Sequence, residues 1–222
     1  MSDLRPDDRA PNLWVGDDVE IADDVHLGAN VVVHSGVRIG PGSHVEDGAV
    51  LGKLTRPGRD SISPLPAVAP TVLGEGTVVG SLAVVCTNVT TGRDVFIGDH
   101  ALVREGAVLG ARVSIGHATT IGRDCRLGDG VRTQSYCVLG VGIVIEDDAF
   151  LGPSVVVLSG LMLREGETYE ARPAVLRRGC HIGSGVQLLP GIVVGAEAVV
   201  GAGSVVTRDV LAGARVKGNP AR

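Results

Sequence analysis

Residues 95–127 read VFIGDHALVREGAVLGARVSIGHATTIGRDCRL, and an aliphatic residue falls on every sixth position: Ile97, Val103, Leu109, Ile115, Ile121 and Leu127. Followed outward, the phase runs unbroken from Leu73 to Val157. The same beat runs earlier from Val15 to Leu51 and later from Leu176 to Val206. Of these 28 positions, 26 are Val, Ile or Leu, with Thr91 and Thr133 the exceptions, so chance is excluded as the cause. The following residue is Gly in 17 of the 28, as in Ile97-Gly98, Ile115-Gly116 and Ile121-Gly122. The residue two before is uncharged and mostly small or β-branched, as at Thr77, Ala83, Val89 and Val95.

Two inward positions flanking one outward position describe a short strand with period-two alternation. The glycine after it suits a corner where the backbone is crowded. Such a strand cannot bury its face alone. Three of them close a triangular coil of 18 residues, and stacked coils pair their backbone groups about 4.8 Å apart. The repeat therefore predicts an all-β parallel β-helix of about nine triangular coils. Each buried Val, Leu or Ile contributes roughly 1.5–3 kcal/mol, most of it offset by chain entropy.

Composition agrees. Hydrophobic residues make up 44% of the 222, yet only 2% are aromatic, so the core must be narrow and aliphatic. The formal net charge of −5 gives no electrostatic footprint for nucleic acid and no basic face for a membrane. No apolar run reaches the roughly 18 residues of a span, and the opening MSDLRPDDRAPNLW is too polar for a signal peptide. Cys86, Cys125, Cys137 and Cys180 contain no C-x-x-C, which predicts free thiols and a cytoplasmic protein.

The breaks in phase divide a single domain into parts. Residues 1–14 form an N-terminal arm and 207–222 a C-terminal cap. Loop insertions are expected at 53–72, where Pro57, Pro64, Pro66 and Pro70 oppose a helix, and at 158–175. Either insertion could wall a substrate cleft, because loops on a rigid scaffold often carry function.

The six-residue beat with its trailing glycine resembles the hexapeptide-repeat acyltransferase superfamily, and the likeness covers residues 15–222. Its most specific part is HIGSGVQLLPGIVVGAEAVVGAGSVVTRDVLAGARVKGNPAR, which resembles the terminal segment of these enzymes. IEDDAFLGPSVVV (Ile145–Val157) and LRRGCHIG (Leu176–Gly183) resemble the bacterial nucleotide-sugar N-acetyltransferases, which carry a loop between those segments. That branch has an Asn-rich corner after a Gln, where this chain has Ser135-Tyr136 after Gln134. The resemblance implies a left-handed helix, a homotrimer, and acetyl-CoA lying in the groove between neighbouring prisms. It implies an N-acyltransferase in which the amine of a small acceptor, a nucleotide-linked amino sugar foremost, attacks the thioester directly. On the same grounds Gly183 and Gly201 would let pantetheine approach the backbone, and Arg208, Lys217 and Arg222 would suit the CoA phosphates.

Aminolysis of a thioester needs a base and a donor for the developing oxyanion. Histidine is the natural base at neutral pH. The register places His26, His44 and His181 in mid-face outward positions, His34 in the glycine column, and His100 and His117 at corners. His117 is the leading candidate base and His100 the second. Asp99, one coil from His117 in the same corner column, is positioned to orient its imidazole. Cys125, Cys137 and Cys180 fall on small inward positions, which is a structural role, and no metal is expected. A γ-type carbonic anhydrase would need a second histidine about five residues after His117, where Gly122 stands. An O-acetyltransferase of the sugar or xenobiotic type would carry a His-Pro segment, which this sequence lacks. A non-catalytic β-helix scaffold is the remaining rival.

Overall fold

The computed structural model describes residues 4–56, 58–59, 67–160 and 171–222. It is a left-handed parallel β-helix with no helical segment among the described residues. Three sheets, of 11, 9 and 10 strands in the order the chain meets them, form the faces of a triangular prism. That makes about ten turns, slightly more than the repeat count suggests. The excess comes from the two ends. Arg5–Asp7 pairs antiparallel with Leu13–Val15 at the start of the first sheet, so the arm is partly built into the prism. Arg215–Val216 stacks on Val199–Val200 of the third sheet, so the C-terminal segment adds a shortened coil.

Each of the 28 repeat positions ends or lies within a short strand. The chain passes from first sheet to second to third and back to the first, gaining one coil. Val79, Ile97, Ile115, Thr133 and Leu151 are consecutive partners up the third sheet. Backbone bonds join coil to coil, as Phe96 N–H donates to Val113 O at 2.9 Å and Gly98 N–H to Ile115 O at 2.8 Å. All repeat positions are buried except Ile21 and Leu27, which lie in the opening coil. Where threonine replaces an aliphatic residue its hydroxyl is used. Thr91 Oγ1 accepts from Gly74 N–H at 2.9 Å and lies 3.2 Å from Thr77 Oγ1.

The glycines that follow the repeat positions have a more specific cause than a tight turn. A Cβ on Gly98 would stand 2.8 Å from His117 N, and one on Gly116 2.3 Å from Gln134 C. The next coil's backbone occupies the space a side chain would need.

The four cysteines are free and buried. Burial, only partly offset by backbone hydrogen bonds, pushes the Cys125 thiol up to about 12, and burial does the same to Cys180. At neutral pH that lowers the thiolate fraction roughly a thousand-fold below an ordinary cysteine. We expect a disulfide-exchange reagent to titrate no thiol quickly in the native protein and four after denaturation. A fast native thiol would contradict this packing.

Both insertions leave from one edge. The first follows Val50–Lys53 of the first sheet and rejoins at Val72–Leu73 of the second. The second follows Val156–Val157 of the first sheet and rejoins at Val175–Leu176 of the second. Partners across them are 34 and 31 positions apart, 16 and 13 more than the 18 of an uninterrupted coil. The described ends of the first are pinned: Thr71 Oγ1 donates to Cys86 O and Thr87 Oγ1 to Ala69 O, both at 2.9 Å. Their central residues, 57, 60–66 and 161–170, lie outside the described residues, Tyr169 and Arg164 of the second insertion among them.

Beside the start of the first insertion is an ion pair that the repeat gives no hint of, with its carboxylate buried and its guanidinium partly exposed. Arg104 grips Glu105 with two hydrogen bonds of 2.9 and 2.6 Å, and Thr55 Oγ1 donates to the same carboxylate at 3.1 Å. Burial raises the Glu105 carboxyl, but the Arg104 and Thr55 bonds outweigh it and hold it below its ordinary value of 4.5. A lowered folded value means the unfolded chain takes up the proton first as pH falls. The stability from this group is therefore present above about pH 4.5 and lost below it. The melting-temperature gap between wild type and Glu105→Gln should narrow as pH drops from about 6 to about 3. A gap that stays constant would show that the pair does not stabilise the fold.

Candidate active site

The candidate residues from the sequence sort onto the prism edges. The edge where the third sheet passes to the first carries Asp99 and His100 after Phe96–Ile97, and His117 after Ser114–Ile115. Ser135 and Tyr136 follow Arg132–Thr133 on the same edge, one coil further. Gly183, Gly201 and Lys217 follow the third-sheet strands His181–Ile182, Val199–Val200 and Arg215–Val216, so they share it too. Arg222 joins them, because its backbone exchanges hydrogen bonds with Lys217 at 3.0 and 3.1 Å. Arg208 does not. It follows Val205–Val206 of the first sheet and sits on the edge that bears the insertions.

Asp99, His117 and Ser135 do stack in one column, as their spacing of 18 requires. Asp99, however, directs a carboxylate oxygen away from His117, accepting the Ser81 backbone N–H one coil lower at 2.9 Å. Asp47 does the same for Ala29, and Asp129 for Ala111, so this is a general corner bond. The ring neighbours of His117 are His100, with centroids 5.4 Å apart and planes at 83°, and Tyr136, at 5.5 Å and 85°. His117 is half-buried, while His100 and Tyr136 are exposed. The other mid-face histidines lie where the register puts them. His26 and His44 stack at 5.4 Å on the outer third sheet, and His181 lies 5.8 Å from Phe150.

Gly183 and Gly201 have a packing reason of their own. A Cβ on Gly183 would stand 2.5 Å from Ala202 N, and one on Gly201 2.9 Å from Lys217 Cβ.

The edge has a second distinction, carried by the backbone. Most corners contain a residue with left-handed φ. On the insertion edge these are Gly, Asn or Asp, as at Gly36, Asn88, Gly106 and Asp124. On the edge between the second and third sheets they depart from that set only at Arg112 and Glu197. On the histidine edge five consecutive coils depart: Leu82, His100, Ala118, Tyr136 and Ser154, with φ from 51 to 61°. A left-handed non-glycine residue costs roughly 1–2 kcal/mol, and strain of this kind gathers at functional sites. The sequence reading missed this, although the signal is present: three positions after each repeat residue, sampled every 18, the usual Gly, Asn and Asp stop for five coils.

The edge is also apolar where it is strained. Leu82, Phe96, Tyr136 and Val138 are among the exposed large hydrophobic side chains. The adjoining first-sheet face presents Val84, Leu102 and Val138 outward in register. A shallow groove of about 350 Å3 lies elsewhere, between Val108, Arg126, Val144 and Arg178. Its carboxylate, Glu146, is held below the usual range by the Arg177 guanidinium and also accepts the Arg178 N–H. The histidine edge, unlike this groove, gathers ring-bearing side chains and left-handed backbone. Among the described residues, no three His, Cys, Asp or Glu side chains converge to hold a metal ion.

With that geometry in hand, the comparisons are specific. The family described as bacterial transferase hexapeptide (six repeats) matches residues 11–53 and 173–208. Those two segments make up a little over a third of the chain. Over 83 residues the chain is 39% identical to serine acetyltransferase 2 of Arabidopsis thaliana, covering 36% of this chain and 25% of that one. Over 66 residues it is 41% identical to 2,3,4,5-tetrahydropyridine-2,6-dicarboxylate N-acetyltransferase of Staphylococcus aureus (strain JH9), covering 30% and 26%. It thus spans about a quarter of the length of these curated relatives. The solved structure of LpxA from Acinetobacter baumannii superposes with a TM-score of 0.62 at 16% identity, over 97% of this chain and 72% of that one. UDP-N-acetylglucosamine acyltransferase of Francisella novicida superposes with a TM-score of 0.57 at 14% identity, over 91% and 66%. At such identities the likeness is one of fold alone. No helix among its described residues is long and apolar enough to cross a membrane.

Proposed function

We propose that this protein is an acetyl-CoA-dependent N-acyltransferase, working as a cytoplasmic homotrimer on the amino group of a small polar acceptor, a nucleotide-linked amino sugar foremost. The observation that carries this reading is the shared edge. His100 and His117 lie on it at mid-height, and Gly183, Gly201, Lys217 and Arg222 lie further up. From the Ile115 coil to the Val200 coil is four strand spacings, through Thr133, Leu151 and Ile182. That is roughly 19 Å, a length suited to an extended thioester arm with its phosphates beside Lys217 and Arg222.

In the reaction, the acceptor nitrogen forms a bond to the acyl carbon and the carbon–sulfur bond breaks. His117 takes the proton that the nitrogen loses and returns it to the departing thiolate. His100 lines the same site, and the Asp99 carboxylate adds negative charge one coil below. Arg208, on another edge, could serve CoA only in a groove formed with a second copy.

Two features support a trimer. The outer first-sheet face, from Trp14 through Val32, Val50, Val84 and Leu102, is apolar and adjoins the histidine edge. The insertions leave and rejoin on the far side of that face, where a second copy could bring its own histidine edge. Closed threefold symmetry satisfies both. Light scattering should then report three times the chain mass of 22.7 kDa. Thermal denaturation with millimolar acetyl-CoA should show stabilisation, and a panel of nucleotide-linked amino sugars should release free CoA thiol. A monomer that acetyl-CoA does not stabilise would instead favour a β-helix scaffold.

A further inference from the structure

We infer that Tyr136 is a positioning residue that holds the imidazole plane of His117, and that the left-handed backbone at position 136 is kept for this purpose. The inference rests on reading His117 as the base, and its test separates the two. Tyr136 has a φ of 61° and is 59% exposed, so burial of its side chain does little to offset an unfavourable backbone. Elsewhere on the same edge this corner is filled by Asn12, Asn30 and Gly48, residues that adopt it readily. Of the five consecutive corners on this edge that are neither Gly, Asn nor Asp, only His100 and Tyr136 carry rings, and both rings meet His117. The Tyr136 ring meets His117 edge-on from the coil above, and His100 meets it edge-on from the coil below. His100 is itself left-handed, with φ 56°. An imidazole between two perpendicular rings cannot turn freely about its Cβ–Cγ bond. The plane in which it would accept a proton is then fixed before the acceptor arrives, and a base misaligned by a small rotation loses much of its rate.

The test compares Tyr136→Asn with Tyr136→Phe in the full chain. Asparagine suits the corner but removes the ring, whereas phenylalanine keeps the ring and the strain. Three readouts are taken: the melting temperature, the His117 Cε1–H resonance through a pH titration of histidine-labelled protein, and kcat against pH. Tyr136→Asn should melt about 1–3 °C higher, move the His117 resonance, and lower kcat about tenfold. Tyr136→Phe should restore the resonance and kcat. A lower melting temperature in Tyr136→Asn would mean that the tyrosine is there for stability, and an unmoved His117 resonance would mean that it holds nothing; either overturns the inference. If the resonance moves but His117→Ala turns over normally, the positioning stands and the base assignment fails.

Discussion

Replacing Val103 with aspartate is expected to leave no folded protein. Val103 is completely buried, at the inward end of Leu102–Val103, between Val85 below and Ile121 above. Those neighbours offer a carboxylate no hydrogen-bond donor and no cation. Burying it charged costs several kcal/mol, and burying it protonated still leaves an unmet polar group. Native chains have only about 5–15 kcal/mol to lose. The position matters as well as the chemistry. Each coil bonds only to the coils above and below it, so a failed coil in mid-stack separates two shorter stacks, each with an uncovered end. The expected result is insoluble or unfolded protein by circular dichroism, without a cooperative melt. Ser114→Asp, on an outward position two strands later, should shift the transition by no more than about 2 °C. A cooperative Val103→Asp protein near wild-type stability would mean that the inside of the prism is wetter than its residues allow.

The second large effect concerns turnover. His117→Ala should reduce kcat by about 10²–10⁴-fold, the usual contribution of a positioned base. The KM for acetyl-CoA should change little, because the glycines and cations proposed to hold it lie several coils away. The melting temperature should also stay close to wild type. His117 is only half-buried, and the rings it meets, His100 and Tyr136, are both exposed, so its loss opens no core cavity. Steady-state kinetics with an identified acceptor, alongside calorimetry, checks both parts. Unchanged turnover with the true acceptor would remove His117 from the mechanism. A raised KM with unchanged kcat would reassign it to binding.

The prism was legible because its cause is local and repeated. A six-residue beat of Val, Ile and Leu can be satisfied by few structures, and each of its 28 positions falls in a strand. Its ends were less legible. The strands Arg5–Asp7 and Arg215–Val216 depend on pairing rather than on periodicity, so the arm and the cap read as appendages. Handedness was not written in the beat and came from resemblance. At the site, the register placed His100 and His117 on a common corner and stacked Asp99 beneath His117. It could not foresee that Asp99 would accept the Ser81 N–H, because backbone donors have no letter in the sequence. It could not place Arg208 either, since a cation near the end of the chain gains meaning only from the edge it lands on. The pair of Arg104 with Glu105 was hidden for a related reason: it depends on Thr55, at the mouth of an interruption, folding back fifty positions away in sequence. Tyr136 was visible as an oddity after Gln134, but its importance needed the sign of φ.

One consequence follows from where the two interruptions are spliced. Both lengthen a coil by an amount unrelated to six, yet the strands on either side resume opposite their proper partners, Val45 with Val79 and Ile145 with Leu176. The tube thus has a port at which foreign sequence can be threaded in and out without detuning the periodic wall. Peptides of quite different size grafted there should be carried as cargo, leaving the wall and the opposite corner to keep their shape.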